Sequence, residues 1–362
     1  MGWNGLRLSV TLLTVFALRG GATARPDRAT AGAAMAWAPG VGLLLGVIAA
    51  AVLLVADHPL GAGPLTAAAL ALASLALLSR GLHLDGLADL ADGLGSGQPE
   101  AAALDIMRRS DIGPFGAVTL ILSLLIQFAA LGHAESAGPG RGPAALIAAV
   151  VTGRLALTWG CRRGVPAARP DGLGALVAGT VRPAIAAAAA LAATAAGVAA
   201  VLISAEVTSE PLGWTLPLAV VAGLAATLVL ERHAVRRLGG ITGDVLGALA
   251  EVATTVTLVV AAMGPRALAA EAAAEPLGHG LRRAVDRALP VQALQERRVR
   301  PVEELQVRAA GQAQVQRVAL GAGRRSVDRA VEALKAHLRV AAQGQRQPVG
   351  QFADEIVVQF SG

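Results

Sequence analysis

Tyrosine is absent from this chain, cysteine occurs once, aromatic residues make up 2% and charged residues only 15%. Each shortage excludes something. A lone thiol, Cys161, can form neither a disulfide within the chain nor a cysteine-rich metal site, so it reads as a packing residue. With so few rings, no basic patch is interleaved with aromatic platforms. The formal charge of +6 is therefore no sign of nucleic-acid binding. An ordinary soluble domain carries about 25% charged residues, and this chain falls well short of that. What fills the space is Ala, Leu and Val: 54% of the 362 residues are hydrophobic, and the mean hydropathy is +0.59. Small apolar residues suit close helix packing in lipid.

The apolar runs are long enough to cross a bilayer, which takes about 20 residues each. We read seven, at 38–56, 62–79, 113–132, 143–160, 183–204, 212–230 and 244–263. The fold class is thus an all-α, polytopic transmembrane bundle whose motifs lie in loops. A shorter run, Leu8–Leu18, reads as an interfacial or re-entrant helix packed on the bundle. The competing reading is a signal peptide cleaved near Ala22 and Ala24, which the single basic residue before it, Arg7, favours less.

Arginines orient the bundle. They sit at 7, 19, 25 and 28, at 80, 108 and 109, at 162, 163, 169 and 182, and at 232, 236 and 237. The alternate loops hold only Arg141. By the positive-inside rule this places the N-terminus and the motif-bearing loops in the cytoplasm, with the protein in the cell's inner membrane. Beyond Met263 the character changes. Residues 264–362 hold 11 Gln, against Gln98 and Gln127 in all that precedes, and no run long enough to span. Residues 1–263 read as the membrane domain. The remainder is either a soluble appendage or a poorly ordered extension outside the chemistry, and we favour the second.

Three motifs carry chemistry. In HLDGLADLADGLG (83–95), Asp85, Asp89 and Asp92 are spaced by four and three, so they share one helical face. Carboxylates so placed repel one another unless a cation lies between them. Oxygen-only ligands favour Mg²⁺ or Mn²⁺ over zinc. The bland alternative is a solvated acidic face. His83 points away from these aspartates in a continuous helix, but turns toward them as a base or phosphate donor if the helix begins near Asp85. In IMRRSDIGPFG (106–116), Ser110 or Asp111 can cap the third span, and Arg108 and Arg109 can neutralise a diphosphate. Positive-inside anchoring explains either arginine equally well. In GGITGDVLGALAE (239–251), Thr242 or Asp244 reads as an N-cap, whereas Glu251 lies deep in the seventh span. An acid at that depth is a functional candidate, and Arg154 in the fourth span is its natural partner.

Together these motifs, with RPDRATAGAAMAWAPGVGLLLG (25–46) and GVPAARPDGLGALVAGTV (164–181), make residues 5–263 resemble the cobalamin synthase (adenosylcobinamide-GDP ribazoletransferase) family. The segment 16–23 departs from that family's pattern, and the chain after 263 has no counterpart in it. The resemblance implies a magnesium-dependent phosphotransfer. The ribose 3′-hydroxyl of α-ribazole, or of its 5′-phosphate, attacks the phosphorus next to cobinamide in adenosylcobinamide-GDP, and GMP leaves. The catalytic set expected is His83, Asp85, Asp89 and Asp92, the three aspartates holding Mg²⁺. Arg80, Arg108, Ser110, Asp111, Arg154, Thr242, Asp244 and Glu251 are expected to bind substrate. A CDP-alcohol phosphotransferase is disfavoured because no Arg follows Asp85-Gly86 at that motif's spacing. A transporter is disfavoured because there is no internal repeat. The oligomeric state stays open, a homo-oligomer included.

Overall fold

The computed structural model describes residues 2–18, 26–109, 111–138, 140–207 and 212–263. The expected C-terminal extension and Ser110 lie outside the described residues, as does the alternative cleavage site. Eleven helices are described: α1 Trp3–Leu13, α2 Arg28–Asp57, α3 Pro64–Leu78, α4 Leu82–Gly95, α5 Glu100–Ile106, α6 Pro114–Ser136, α7 Arg141–Gly160, α8 Gly172–Val177, α9 Pro183–Val207, α10 Thr215–Leu238 and α11 Gly243–Ala262. Six of them, α2, α6, α7, α9, α10 and α11, are long and apolar enough to cross a membrane. The chain is therefore an all-α multi-pass membrane protein.

The seventh expected crossing takes a different form. Residues 62–79 do become a helix, α3, but it has only 15 residues. It breaks at 79–81 and continues as α4 at an angle of 87°. Arg80 and Gly81 both adopt left-handed backbone, with φ of 58° and 66°. Such a conformation is rare for any residue with a Cβ. Two in succession turn the chain, and the acidic motif leaves the crossing direction. The motif thus lies not in an open loop but on a helix, as its spacing by four and three predicts, packed against α11 and α6. Helix α1 ends at Leu13 and is too short to cross. Its Gly5 lies so close to α2 that an added Cβ would meet the Cβ of Ala33 at 2.6 Å. It packs on the bundle, as the favoured reading required, but it lies earlier than the expected run Leu8–Leu18, whose last five residues are not helical.

The centre of the bundle is α11, which touches α7, α10, α4 and α6. Residues 245–251 are buried without interruption. Between helices in lipid, hydrophobicity supplies no attraction, so close van der Waals contact must do so. Glycines make that contact. Gly153 of α7 and Gly223 of α10 sit where a Cβ would strike Thr254 and Thr257 of α11, each at 2.2 Å. Gly86 of α4 would place its Cβ 2.8 Å from the carbonyl oxygen of Asp244, and a Cβ on Gly247 would lie 3.2 Å from the Gly86 Cα. Near the α7 C-terminus, Arg162 pairs with the buried carboxylate of Glu231 on α10 and lies 5.3 Å from the ring centroid of Trp159. Cys161 packs in the core as expected.

Gly86→Val adds bulk where α4 meets α11 backbone to backbone. We expect it to destabilise the bundle by about 1–3 kcal/mol, read as a lower melting temperature in detergent. Val118→Ala, on the lipid-facing side of α6 where Val118 is 56% exposed, is expected to leave it nearly unchanged. Equal melting temperatures would contradict the close approach.

Candidate active site

The Gly86–Gly247 contact brings the first turn of α11 alongside α4. Asp85, Asp89 and Asp244 are thereby assembled from two helices. Asp85 is exposed, Asp89 half-buried and Asp92 buried. Asp89 is at the centre: it feels Asp85, Asp244 and Asp92 as like charges, and Arg169 as the one opposite charge acting on it. The ligand atoms of the expected triad do not converge as tightly as in a preformed cage. Among the described residues, the group whose ligand atoms all lie within 4.8 Å of one another is Asp57, His58 and Glu135, at the opposite end of α2 and α6.

Asp92, expected beside Asp85 and Asp89 on the metal, is engaged elsewhere. Its two oxygens accept the backbone N–H groups of Gly113 at 2.7 Å and Gly116 at 2.9 Å. These are orphan donors of the α6 N-terminus. The expected cap from Asp111 is not the arrangement seen, and Ser110 lies outside the described residues: the N-cap is Gly113, which has no side chain to offer, and Asp111 is exposed. The capping carboxylate comes instead from α4, 21 residues earlier. The local spacing gave no hint of it. Both glycines are required here, because a Cβ on either would meet Asp92 oxygen at 2.4 Å.

The late helix start that would turn His83 toward the aspartates is not seen. Helix α4 begins at Leu82, so His83 lies in the first turn, buried at 2% exposure, with neither ring nitrogen partnered among the described residues. Arg154 of α7 is its charged neighbour. Arg154 and Glu251 attract one another, yet among the described residues no ion pair within 4.0 Å joins them. Glu251 accepts instead from Gln127 Nε2 of α6 at 3.1 Å, and Gln127 also donates to Thr255 at 2.9 Å. Gln127 escaped the sequence reading. The signal was there: it is one of only two glutamines before residue 264, and it lies inside a span.

The remaining expected residues divide. Thr242 caps α11, accepting from Val245 N at 3.1 Å, and its hydroxyl donates to Asp244 at 3.2 Å. Arg108 pairs with Asp171 at 2.9 Å. Arg80 reaches away from the carboxylates, to the carbonyl of Leu12 at 3.0 Å, where a cation suits the C-terminus of α1. The other omission is Arg169, in the loop between α7 and α8. It stands beside Asp89 and Asp244 and donates to the carbonyl of Leu104. Burial, and then the neighbouring Arg108, lower its pKa from the ordinary value, though an arginine stays charged regardless. In the sequence it counted only toward topology.

Residues 5–262 match the family described as cobalamin-5-phosphate synthase, CobS. The chain belongs to that family. It is similar to the adenosylcobinamide-GDP ribazoletransferase of Frankia casuarinae, 45% identical over 264 residues that cover 71% of this chain and 94% of the relative. The enzyme of the same name from a Nocardioides species is 38% identical over 253 residues, covering 70% of this chain and 96% of that one. That of Corynebacterium efficiens is 36% identical over 265 residues, covering 72% and 91%. No solved structure matches the chain. Every motif of the site falls inside the matched region.

The two kinds of aspartate are separable by experiment. Asp92→Ala is expected to lower stability by about 1–2 kcal/mol, because it strands the α6 N–H groups. Asp85→Asn, at an exposed position, should leave the melting temperature unchanged while activity falls. If Asp92→Ala melts with the wild type, the carboxylate is not holding α6.

Proposed function

We propose that this family member is an adenosylcobinamide-GDP ribazoletransferase with its active site at the cytoplasmic membrane surface. The observation that carries the reading is the meeting of Asp85, Asp89 and Asp244 beside Arg169 and Arg108. Carboxylates face cations across one site, the charge pattern phosphoryl transfer to or from a diphosphate requires. The attacking ribose 3′-oxygen of α-ribazole, or of its 5′-phosphate, forms a bond to the phosphorus next to cobinamide. The bond from that phosphorus to GMP breaks. The hydroxyl proton passes to a base, and GMP carries the electron pair away. The product is adenosylcobalamin or its 5′-phosphate.

The donor set fits magnesium. It is all oxygen and its mutual repulsion calls for a cation. Magnesium needs only one or two protein carboxylates, its remaining positions going to water and substrate phosphate, so a tight cage is not required. Asp85 and Asp89 would hold it, with Asp244 on the facing helix. When bound, it supplies neutralisation of the charge that develops on the leaving phosphate. Asp92 contributes by positioning: it ties α4 to α6 and holds the acidic face in register. Arg154, His83, Gln127 and Glu251 form a polar layer beneath, suited to hydrogen-bonding a substrate group that reaches inward.

The cytoplasmic orientation rests on the arginine distribution and on where its substrates are made, since nucleotide-activated corrinoids are cytosolic. Single cysteines at Gln98, Pro170 and His233, all exposed, in a Cys161-free protein should resist an impermeant thiol reagent in intact cells. One at Leu60, 71% exposed in the α2–α3 turn, should react. The reverse pattern would overturn the orientation.

The reaction itself is tested by following GMP release from adenosylcobinamide-GDP and α-ribazole in purified membranes. Release should require Mg²⁺. Asp85→Asn and Asp89→Asn should each cut turnover by roughly 10²-fold or more, with partial rescue at high Mg²⁺ because mass action refills a weakened site. Near-normal turnover and metal dependence in both variants would end the assignment of the metal site.

A further inference from the structure

We propose that Arg169 and Arg108, brought together by the 161–182 segment and the end of α5, form a diphosphate-binding subsite facing the carboxylates, and that Asp171 occupies Arg108 until the substrate diphosphate replaces it. This rests on the ribazoletransferase reading and deepens it, giving Arg169 and Arg108 a joint ligand and Asp171 a part in binding it.

The segment between α7 and α9 is fixed, not loosely draped. Its two ends join where Arg162 bridges Val181, with Arg163 N to Val181 O at 2.8 Å and Val181 N to Cys161 O at 3.0 Å. Its middle pairs with the turn that starts α11: Ala167 bridges Ile241, with Ala168 N to Ile241 O at 3.0 Å and Ile241 N to Pro166 O at 2.9 Å. The approach is tight enough that a Cβ on Gly240 would lie 2.5 Å from Pro166 O. Gly174, at the far end of the same segment, would meet Ile241 O at 2.5 Å. Arg169 is the residue after this pairing. The pairing therefore sets it beside Asp244, three residues beyond Ile241.

Its guanidinium is only partly used. One nitrogen donates to the Leu104 carbonyl in α5. The Nε atom is buried and has no partner among the described residues. Asp244, Asp171 and Asp105 attract the group, while Arg108 repels it. Arg108 lies two residues past the end of α5, and one of its nitrogens meets both oxygens of Asp171, at 2.9 and 3.1 Å. Both partners of that pair are more than half exposed, so the pair is weak and replaceable. Two guanidiniums held near one another, one with an idle donor and the other on an exposed carboxylate, suit a ligand carrying two adjacent anionic groups. A structural clip between the loop and α5 explains the Leu104 bond, but neither the idle Nε nor the second arginine.

The test measures KM for adenosylcobinamide-GDP, KM for α-ribazole and the inhibition constant of GDP in Arg169→Lys, Arg169→Gln, Arg108→Gln and Asp171→Asn, with Arg236→Gln as a surface control. Arg169→Gln and Arg108→Gln should raise KM for adenosylcobinamide-GDP and the GDP constant by about 10- to 100-fold, the loss of one charge-assisted contact. KM for α-ribazole should stay within about twofold. Arg169→Lys should fall between, keeping charge but not the fork. Asp171→Asn should tighten GDP by roughly two- to fivefold by freeing Arg108, a gain that damage to the fold does not produce. Unchanged diphosphate affinity in a folded Arg169→Gln protein overturns the proposal. If that variant does not accumulate, Asp171→Asn decides: GDP binding that is unchanged or weaker overturns it. Wild-type membranes that release no GMP would instead remove the reading beneath it.

Discussion

The site depends on one close approach, that of α4 to α11 at Gly86 and Gly247. Two helices carrying like charges on their facing ends do not come together for electrostatic reasons; Asp85, Asp89 and Asp244 oppose it. Nor does lipid drive helices together as water would. What remains is backbone-to-backbone contact, and only glycine allows it at this distance. Packing energy gained along the rest of α11 offsets the repulsion at its end. An acidic cluster is thus built from groups that do not favour one another, held by a core that does not depend on them. This is a common pattern where local rules are broken at a functional site and satisfied elsewhere.

The turn at Arg80–Gly81 completes that arrangement. A straight continuation of α3 would carry the acidic motif along the membrane normal, with its carboxylates directed partly at lipid. The bend lets α4 lie against α11 and α6 and leaves Asp85 open. It also explains the short α3. About 15 residues rise roughly 22 Å as a helix, less than the hydrocarbon thickness of about 30 Å, so the chain begins to turn before a full crossing is complete. Asp92 then fixes the other end by capping α6. One short helix is therefore held by a left-handed turn at its start, a glycine contact in its middle and a carboxylate cap at its end.

Much of this was legible in the sequence. The spans were, since hydropathy reports directly on burial in lipid, and six of the seven runs became helices long enough to cross. The shared face of Asp85 and Asp89 was legible too, because helical periodicity is local. The surroundings of Asp92 and Arg169 were not. Asp92 caps a helix that starts 21 residues later, and Arg169 gains its neighbours from a two-residue pairing with Ile241. Both depend on which segments meet, which no periodicity encodes. The 87° bend was illegible for a related reason: Arg80 is an unexpected residue for left-handed backbone, and nothing but the following glycine marked the turn.

Beneath the carboxylates lies a layer whose polarity is harder to satisfy. His83, Arg154, Gln127 and Glu251 are each at most 8% exposed, they come from four different helices, and they sit where the bundle is otherwise Ala, Leu and Val. Buried polar groups are normally hydrogen-bonded, since an unpaired one costs about 1–3 kcal/mol. Gln127 and Glu251 meet that requirement together. His83 and the Nε of Arg154 do not, among the described residues. A purely structural ion pair would have drawn Arg154 and Glu251 into contact. Their separation leaves a donor, an acceptor and an imidazole within the bundle below the carboxylates. Such a layer, with an acidic face above and buried hydrogen-bonding groups below, is suited to a polar group that enters the bundle from the end carrying the carboxylates.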